Sequence, residues 1–121
     1  MIKIAFPTED DQGLKDILSP HFGHCYSFTI VSWDPDTKTV KNVEVIQNQG
    51  HVEGGCMNPV MTLKNKGVQA IVVGGIGMRP LMGFWQVGIT PYQGVEGTVD
   101  LNLRAYIENK LEQLNEGTCQ H

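Results

Sequence analysis

The sequence lacks a long hydrophobic run, a basic stripe and a regular cysteine pattern, and each absence removes a class of protein. No stretch approaches the roughly twenty apolar residues that a membrane-spanning helix needs. Nine Lys and Arg stand against thirteen Asp and Glu, a formal net charge of -4, so the electrostatic footprint of a nucleic-acid binder is missing. Three cysteines, Cys25, Cys56 and Cys119, are too few and too odd in number for the disulfide framework of a small secreted domain. No C-x-x-C run announces a structural zinc site. Reduced thiols and a cytoplasmic setting are the expectation, since Glu9 and Asp10 arrive before any signal-peptide core could form.

What is present has a globular balance: 121 residues, 40% hydrophobic and 18% charged. That suits one domain spanning 1–121, with 115–121 expected as a flexible tail. Ile2, Ile4 and Phe6 alternate with Lys3 and Ala5 until Pro7, a strand with a boundary. A polar loop over 8–19 follows. Tyr26, Phe28 and Ile30 then restore a period of two, Asp34-Pro35-Asp36-Thr37 supplies turn chemistry, and Val43 and Val45 continue a hairpin. The glycine-rich stretch 48–57 reads as a loop.

Asn58-Pro59 offers a cap and a first helical proline, with Val60, Met61 and Leu63 as the apolar side of a short helix and Gly67 as its stop. Residues 70–73 form an apolar run bounded by glycine, typical of a strand covered on both faces. A second helix is predicted over 78–86, a strand over 87–92, and a final helix opening at Thr98. In that last helix Val99, Leu103, Ile107, Leu111 and Leu114 recur at three and four, for a length of about 25 Å. The order predicts an α/β fold with one mixed five-stranded sheet, 3-2-1-4-5, strand two antiparallel, and three helices: a ribonuclease H-like arrangement. Strand carboxyl ends and the start of strand two then share one edge, where ligands bind in such sheets.

The chemistry-bearing residues gather at that edge. Ser19-Pro20-His21-Phe22-Gly23-His24-Cys25 puts two imidazoles and a thiol at the start of strand two, and His51 and Cys56 lie in the loop after strand three. Imidazole and thiolate suit zinc, copper, iron-sulfur and metal-sulfide units rather than magnesium or calcium. His21, His24, Cys25, His51 and Cys56 are therefore the candidate metal ligands, set against structural roles for each. Gly74-Gly75-Ile76-Gly77-Met78-Arg79 follows a buried strand and opens a helix, so Gly75, Gly77 and Arg79 are candidates to hold an anion. Met57, Met61, Met78 and Met82 read as core filler rather than thioether ligands. Cys119 and His121 read as tail residues, carried away from the edge by the last helix.

At His21-Phe22-Gly23-His24-Cys25 followed by Tyr26, Phe28 and Ile30, the chain resembles the dinitrogenase iron-molybdenum cofactor biosynthesis family. The likeness extends through 51–55, Gly74-Gly75-Ile76-Gly77 and Gly94-Val95-Glu96-Gly97-Thr98-Val99. That family includes NifX-like carriers, the carboxyl-terminal domain of NifB-like proteins and small orange proteins holding a molybdenum-copper-sulfide cluster. The resemblance implies a carrier of a preformed metal-sulfur cluster (Fe-S, Fe-Mo-S or Mo-Cu-S), contacted through His21 and Gly23, with cluster donor and acceptor proteins as partners. Cys25 and Cys56 rest on the edge placement alone. Enzyme function is not expected, because the first and fourth strands carry no carboxylates for a two-metal nuclease and neither thiol has the spacing of a cysteine hydrolase. The competing reading is a metal-free interaction or regulatory module presenting Trp33 and Trp85.

Overall fold

The computed structural model describes residues 1–48 and 59–114. Strands β1 (Ile2–Thr8), β2 (Ser27–Asp34) and β3 (Thr39–Gln47) are followed by α1 (Pro59–Asn65), β4 (Ala70–Val73), α2 (Met78–Val87), β5 (Thr90–Gln93), α3 (Val99–Ile107) and β6 (Glu112–Gln113). The sheet runs 3-2-1-4-5-6. β2 is antiparallel to both β1 and β3, whereas β4 and β5 run parallel to β1.

Period-two alternation divides the core between the two faces of this sheet. Ala5, Phe28, Ile30, Ile71 and Val73 meet α1 and α2 on one face, through Val60, Leu63, Leu81 and Phe84. Ile4, Phe6, Val31, Ala70 and Val72 meet Val99 and Leu103 of α3 on the other. All four residues of β4 are buried, the signature of a central parallel strand. The hairpin turn is fixed by Asp34, whose Oδ1 accepts from the Asp36 N–H at 2.9 Å; this hydrogen bond holds its carboxyl below the usual range. The expected stop at Gly67 is present and Gly88 ends α2, both at φ 83°, a conformation that glycine takes without a Cβ penalty.

Two expectations about the carboxyl-terminal third fail together. The sheet has six strands rather than five, and α3 ends at Ile107 after nine residues, about 14 Å rather than 25. Asn109 turns left-handed at φ 59°, a state that Asn tolerates better than most residues. The chain then returns as β6, antiparallel to β5, with Gln93 opposite Glu112. Leu111 and Leu114 kept helical spacing by coincidence: Leu111 packs with the α3 face and Leu114 with the α2 face, which one helix stripe could not do.

Other readings shift in detail. Val87 belongs to α2, so β5 starts at Thr90. Trp33 is half-buried against the α3 face rather than displayed, and Trp85 packs on the α2 face with its Nε1–H donating to the Leu114 carbonyl at 3.2 Å. Three of the methionines expected as core filler are not. Met61, Met78 and Met82 are 44%, 44% and 47% exposed, because α1 and α2 turn only Val60, Leu63, Leu81 and Phe84 fully inward. Met57, the Asn58 cap and the 115–121 tail lie outside the described residues.

Candidate functional site

The segment before β2 is fastened to the sheet at several points. Ser19 donates its N–H to the Pro7 carbonyl at 2.8 Å, and Tyr26 donates its own to Thr8 at 3.0 Å. Between these anchors the buried Ser19 hydroxyl donates to the His21 carbonyl at 3.1 Å and accepts from the His21 N–H at 3.3 Å. A single 3-10 turn, Phe22–His24, follows. Phe22 is its anchor, with its ring 5.5 Å from Phe28 and 5.4 Å from Phe84. With Phe22 turned inward, His21, Gly23 and His24 are left exposed, the two imidazoles edge to face with centroids 6.4 Å apart.

The glycine turn after β4 is what this segment rests on. Phe22 N–H donates to the Gly75 carbonyl at 2.9 Å. A Cβ at Gly74 would stand 2.6 Å from the Ser19 carbonyl oxygen, and one at Gly75 would collide with the Pro20 carbonyl. Backbone lies on backbone here, and only glycine permits it. Gly77 is different: it is the N-cap of α2, offers no side chain to cap that helix, and would have space for a Cβ, with Pro80 Cδ nearest at 3.9 Å. Arg79 in the first turn is exposed. The positive end of α2 and one guanidinium thus open to solvent beside the histidine turn.

Cys25 is not beside the histidines on the surface. It is 1% exposed and belongs to the α2-face core. Asn48 Nδ2 donates to its carbonyl at 3.0 Å and approaches its Sγ at 3.5 Å. Burial pushes the thiol up to about 12, so at neutral pH it is protonated. The expected exposed position beside the histidines is not where Cys25 stands: residue 25 is where the chain enters the core. His51 and Cys56 lie outside the described residues. Among the described residues no group of three or more His, Cys, Asp or Glu gathers to hold a metal ion.

On the other side of Pro20 lies a feature that no single segment of sequence announces. A cavity of about 590 Å³ opens between residues 17–20 and 94–97, with Gly74 and Gly94 in its lining. Ile17, Leu18 and Pro20 form one wall; Val95 and Glu96 line the other. The walls are stitched together where Leu18 N–H donates to Gly97 at 2.9 Å and Val99 N–H to Asp16 at 2.9 Å. Fully buried Asn102 of α3 braces the second wall. A Cβ at Gly94 would meet Leu18, Asn102 and Val72 within 2.8 Å. The glycines bracketing Val95 and Glu96 were the available signal, but the facing wall lies about 80 residues earlier.

A family model described as dinitrogenase iron-molybdenum cofactor matches residues 1–109. A curated relative, an uncharacterized protein (MJ0580) of Methanocaldococcus jannaschii, is 33% identical over 115 residues, covering 93% of this chain and 92% of its own. Among solved structures, PH0822 superposes at a TM-score of 0.77 with 31% identity, covering 95% of this chain and 98% of that one. A candidate NifB protein from Thermotoga gives 0.76 at 26% identity, covering 100% and 97%. The apo orange protein of Desulfovibrio gigas gives 0.75 at 21%, covering 94% and 93%, a likeness of fold.

Proposed function

The chain belongs to the dinitrogenase iron-molybdenum cofactor family, and on that premise we propose that it is a non-enzymatic carrier that receives a preformed metal-sulfur cluster and hands it on. The observation that carries the reading is the histidine turn: two exposed imidazoles held edge to face, on backbone anchored to β1 and to the glycine turn. Nitrogen donors on a stiff support suit the open coordination positions of a cluster that already holds its own sulfide. In this reading His21 is the principal contact and His24 its neighbour. Gly23, Gly75 and Gly77 keep the approach clear, and Arg79 with the α2 end supplies positive potential. Cys25, from within the core, and His51 and Cys56 stay as proposed ligands.

Donor and acceptor proteins of the cytoplasm are the proposed partners, and the ribonuclease H-like class is kept as the fold reading. The tryptophans offered for the metal-free alternative, Trp33 and Trp85, are partly buried rather than displayed.

Anaerobic reconstitution with iron, sulfide and molybdate, followed by metal and sulfide analysis and visible absorption, tests the proposal. His21→Ala should reduce loading most, His24→Ala less, and Arg79→Ala by about two- to threefold with a weaker salt dependence. Equal loading of wild type and His21→Ala would remove the histidine turn as the contact.

A further inference from the structure

Three of the five methionines stand on the outside of one helix pair. Apolar side chains exposed singly are ordinary on a protein surface, whereas a group of them marks a binding surface. α1 and α2 cover the same face of the sheet, and each leads into a strand parallel to β1, so the two helices are parallel neighbours. Two contacts set their register. Val60 Cγ2 lies 3.4 Å from where a Gly83 Cβ would stand. Four residues further along each helix, Lys64 Nζ donates to the Val87 carbonyl at 3.0 Å. Met61 therefore follows the crossing on α1 and Met82 precedes it on α2, both exposed, with exposed Met78 one turn before Met82.

The charge on these helices is of one sign. All thirteen Asp and Glu lie outside 54–95, a stretch whose cations are Lys64, Lys66 and Arg79. Lys66 is paired with Glu44 at 2.6 Å. Lys64 gives one donor to Val87 and keeps its charge, and Arg79 makes no ion pair among the described residues. Lys64 stands beside the end of α2 and Arg79 in its first turn, so the thioethers lie between two cations on a chain whose net charge is -4.

We propose that the outer face of α1 and α2 docks an amphipathic helical segment of another protein, apolar along its centre and acidic on its flanks. Its apolar stripe covers Met61, Met78 and Met82, whose flexible thioethers repack against varied side chains, and its carboxylates meet Lys64 and Arg79. A basic segment is repelled by the same two cations. A second copy using this face would set cations against cations, with no carboxylate on either helix to relieve them. Two separated cations are also too few for an anionic membrane, which is read by clusters of Lys and Arg. The face adjoins the candidate site: Gly77 caps α2, and Gly75 just before it takes the Phe22 N–H. A docked partner thus stands beside the histidine turn. Only the partner's role as cluster donor or acceptor rests on the carrier reading.

The probe is a synthetic helical peptide with Leu along one face and Glu on both flanks, titrated into the full chain with isotope-labelled methionine methyl groups and followed by NMR. The signals of Met61, Met78 and Met82 should shift together while that of Met1, ahead of β1, stays fixed. The same peptide with Lys in place of Glu should bind at least about tenfold more weakly, and a tenfold rise in salt should weaken the acidic peptide about threefold. Met82→Glu should weaken it at least about tenfold and Met82→Leu less than about threefold. Both variants should melt with wild type, because the position is exposed. Absent shifts, equal affinity for the Lys peptide, shifts caused by phosphatidylglycerol vesicles but not by the acidic peptide, or shifts caused by raising the protein concentration alone would each overturn the inference. Anaerobic cluster loading run in parallel separates the two readings. Loading by a wild type that ignores the acidic peptide would leave the carrier reading standing, and peptide binding by a wild type that never loads would remove that reading and keep the docking face.

Discussion

Asn102 holds the backbone of Val95 on both sides of its Cα. Its Oδ1 accepts from the Val95 N–H at 2.8 Å and its Nδ2 donates to the Val95 carbonyl at 2.9 Å. A second donation from Nδ2 reaches the Thr98 carbonyl, also at 2.9 Å. A side-chain amide on α3 thus plays the part of a neighbouring strand for a loop that has none, and it is fully buried while doing so.

Asn102→Ala should therefore cost about 2 to 4 kcal/mol, since it strands buried backbone groups as well as losing bonds. Asn102→Asp should cost a comparable amount: the acceptor survives, but both donations go and a carboxylate is buried. Urea denaturation gives the free energies, and hydrogen exchange at the Val95 amide shows whether the loop is the part that loosens. A loss below about 0.5 kcal/mol in both variants would mean that the loop holds itself.

The glycines of the histidine turn and of the glycine turn beneath it should separate into two kinds. Gly75→Ala must push Pro20 away and should destabilise the protein by about 2 kcal/mol or more, whereas Gly23, with nothing within 4 Å, and Gly77 have room for a methyl group. Gly23→Ala and Gly77→Ala should melt within a few degrees of wild type. If either of these lowers cluster loading, the position is a contact rather than a support, which thermal melts run beside loading assays would reveal.

Cys25 gives a prediction about alkaline stability. Its thiol is raised from 9.0 to about 12 by burial, so its stabilising effect is complete below about pH 9, where both folded and unfolded chains hold the proton. Above that, only the unfolded chain ionises, and stability should fall by about 1.4 kcal/mol per pH unit until the folded thiol titrates. Other groups titrate in the same window, so the measurement is the difference between wild type and Cys25→Ala across pH 8 to 11. Parallel curves would show that the thiol is not protected. Per-residue alkylation should likewise find Cys25 inert until the chain unfolds.

Leu114 is the last described residue and it is buried, with its N–H on the Pro91 carbonyl and its own carbonyl taking the Trp85 indole. A chain ending at Leu111 should be less stable than one ending at Leu114 by about 2 to 3 kcal/mol. Equal melting temperatures for the two truncations would make β6 an ornament of the sheet edge.

Elements that bury one continuous apolar pattern were legible in the sequence. β1, β2 and β4 alternate or run apolar, and the glycine stops at Gly67 and Gly88 sit where left-handed backbone is needed. β6 was illegible because Glu112 and Gln113 carry no hydrophobic signal, and Leu111 and Leu114 imitated a helix stripe while serving opposite faces. The turn at Asn109 was the available clue. In the site, the donor types were readable but their depth was not: His21 and Cys25 are four residues apart, yet Phe22 steers one outward and β2 draws the other in. The cavity needed tertiary structure, since residues 17–20 and 94–97 lie far apart in the sequence and meet directly only in the folded chain, where Leu18 N–H donates to Gly97.

β1 lies in the interior of the sheet, and the chain makes it first. Its hairpin-side neighbour β2 arrives early, but on its other side Lys3 meets Gln69, 66 residues later, and Ile4 pairs with Ala70. Closing so long a loop is slow compared with forming the local β2–β3 hairpin. During synthesis one flank of β1 must therefore wait, bare and apolar, until β4 leaves the ribosome. The rate-limiting search of refolding should be for that parallel pairing, and a nascent chain paused before Ala70 should be the form most in need of a chaperone.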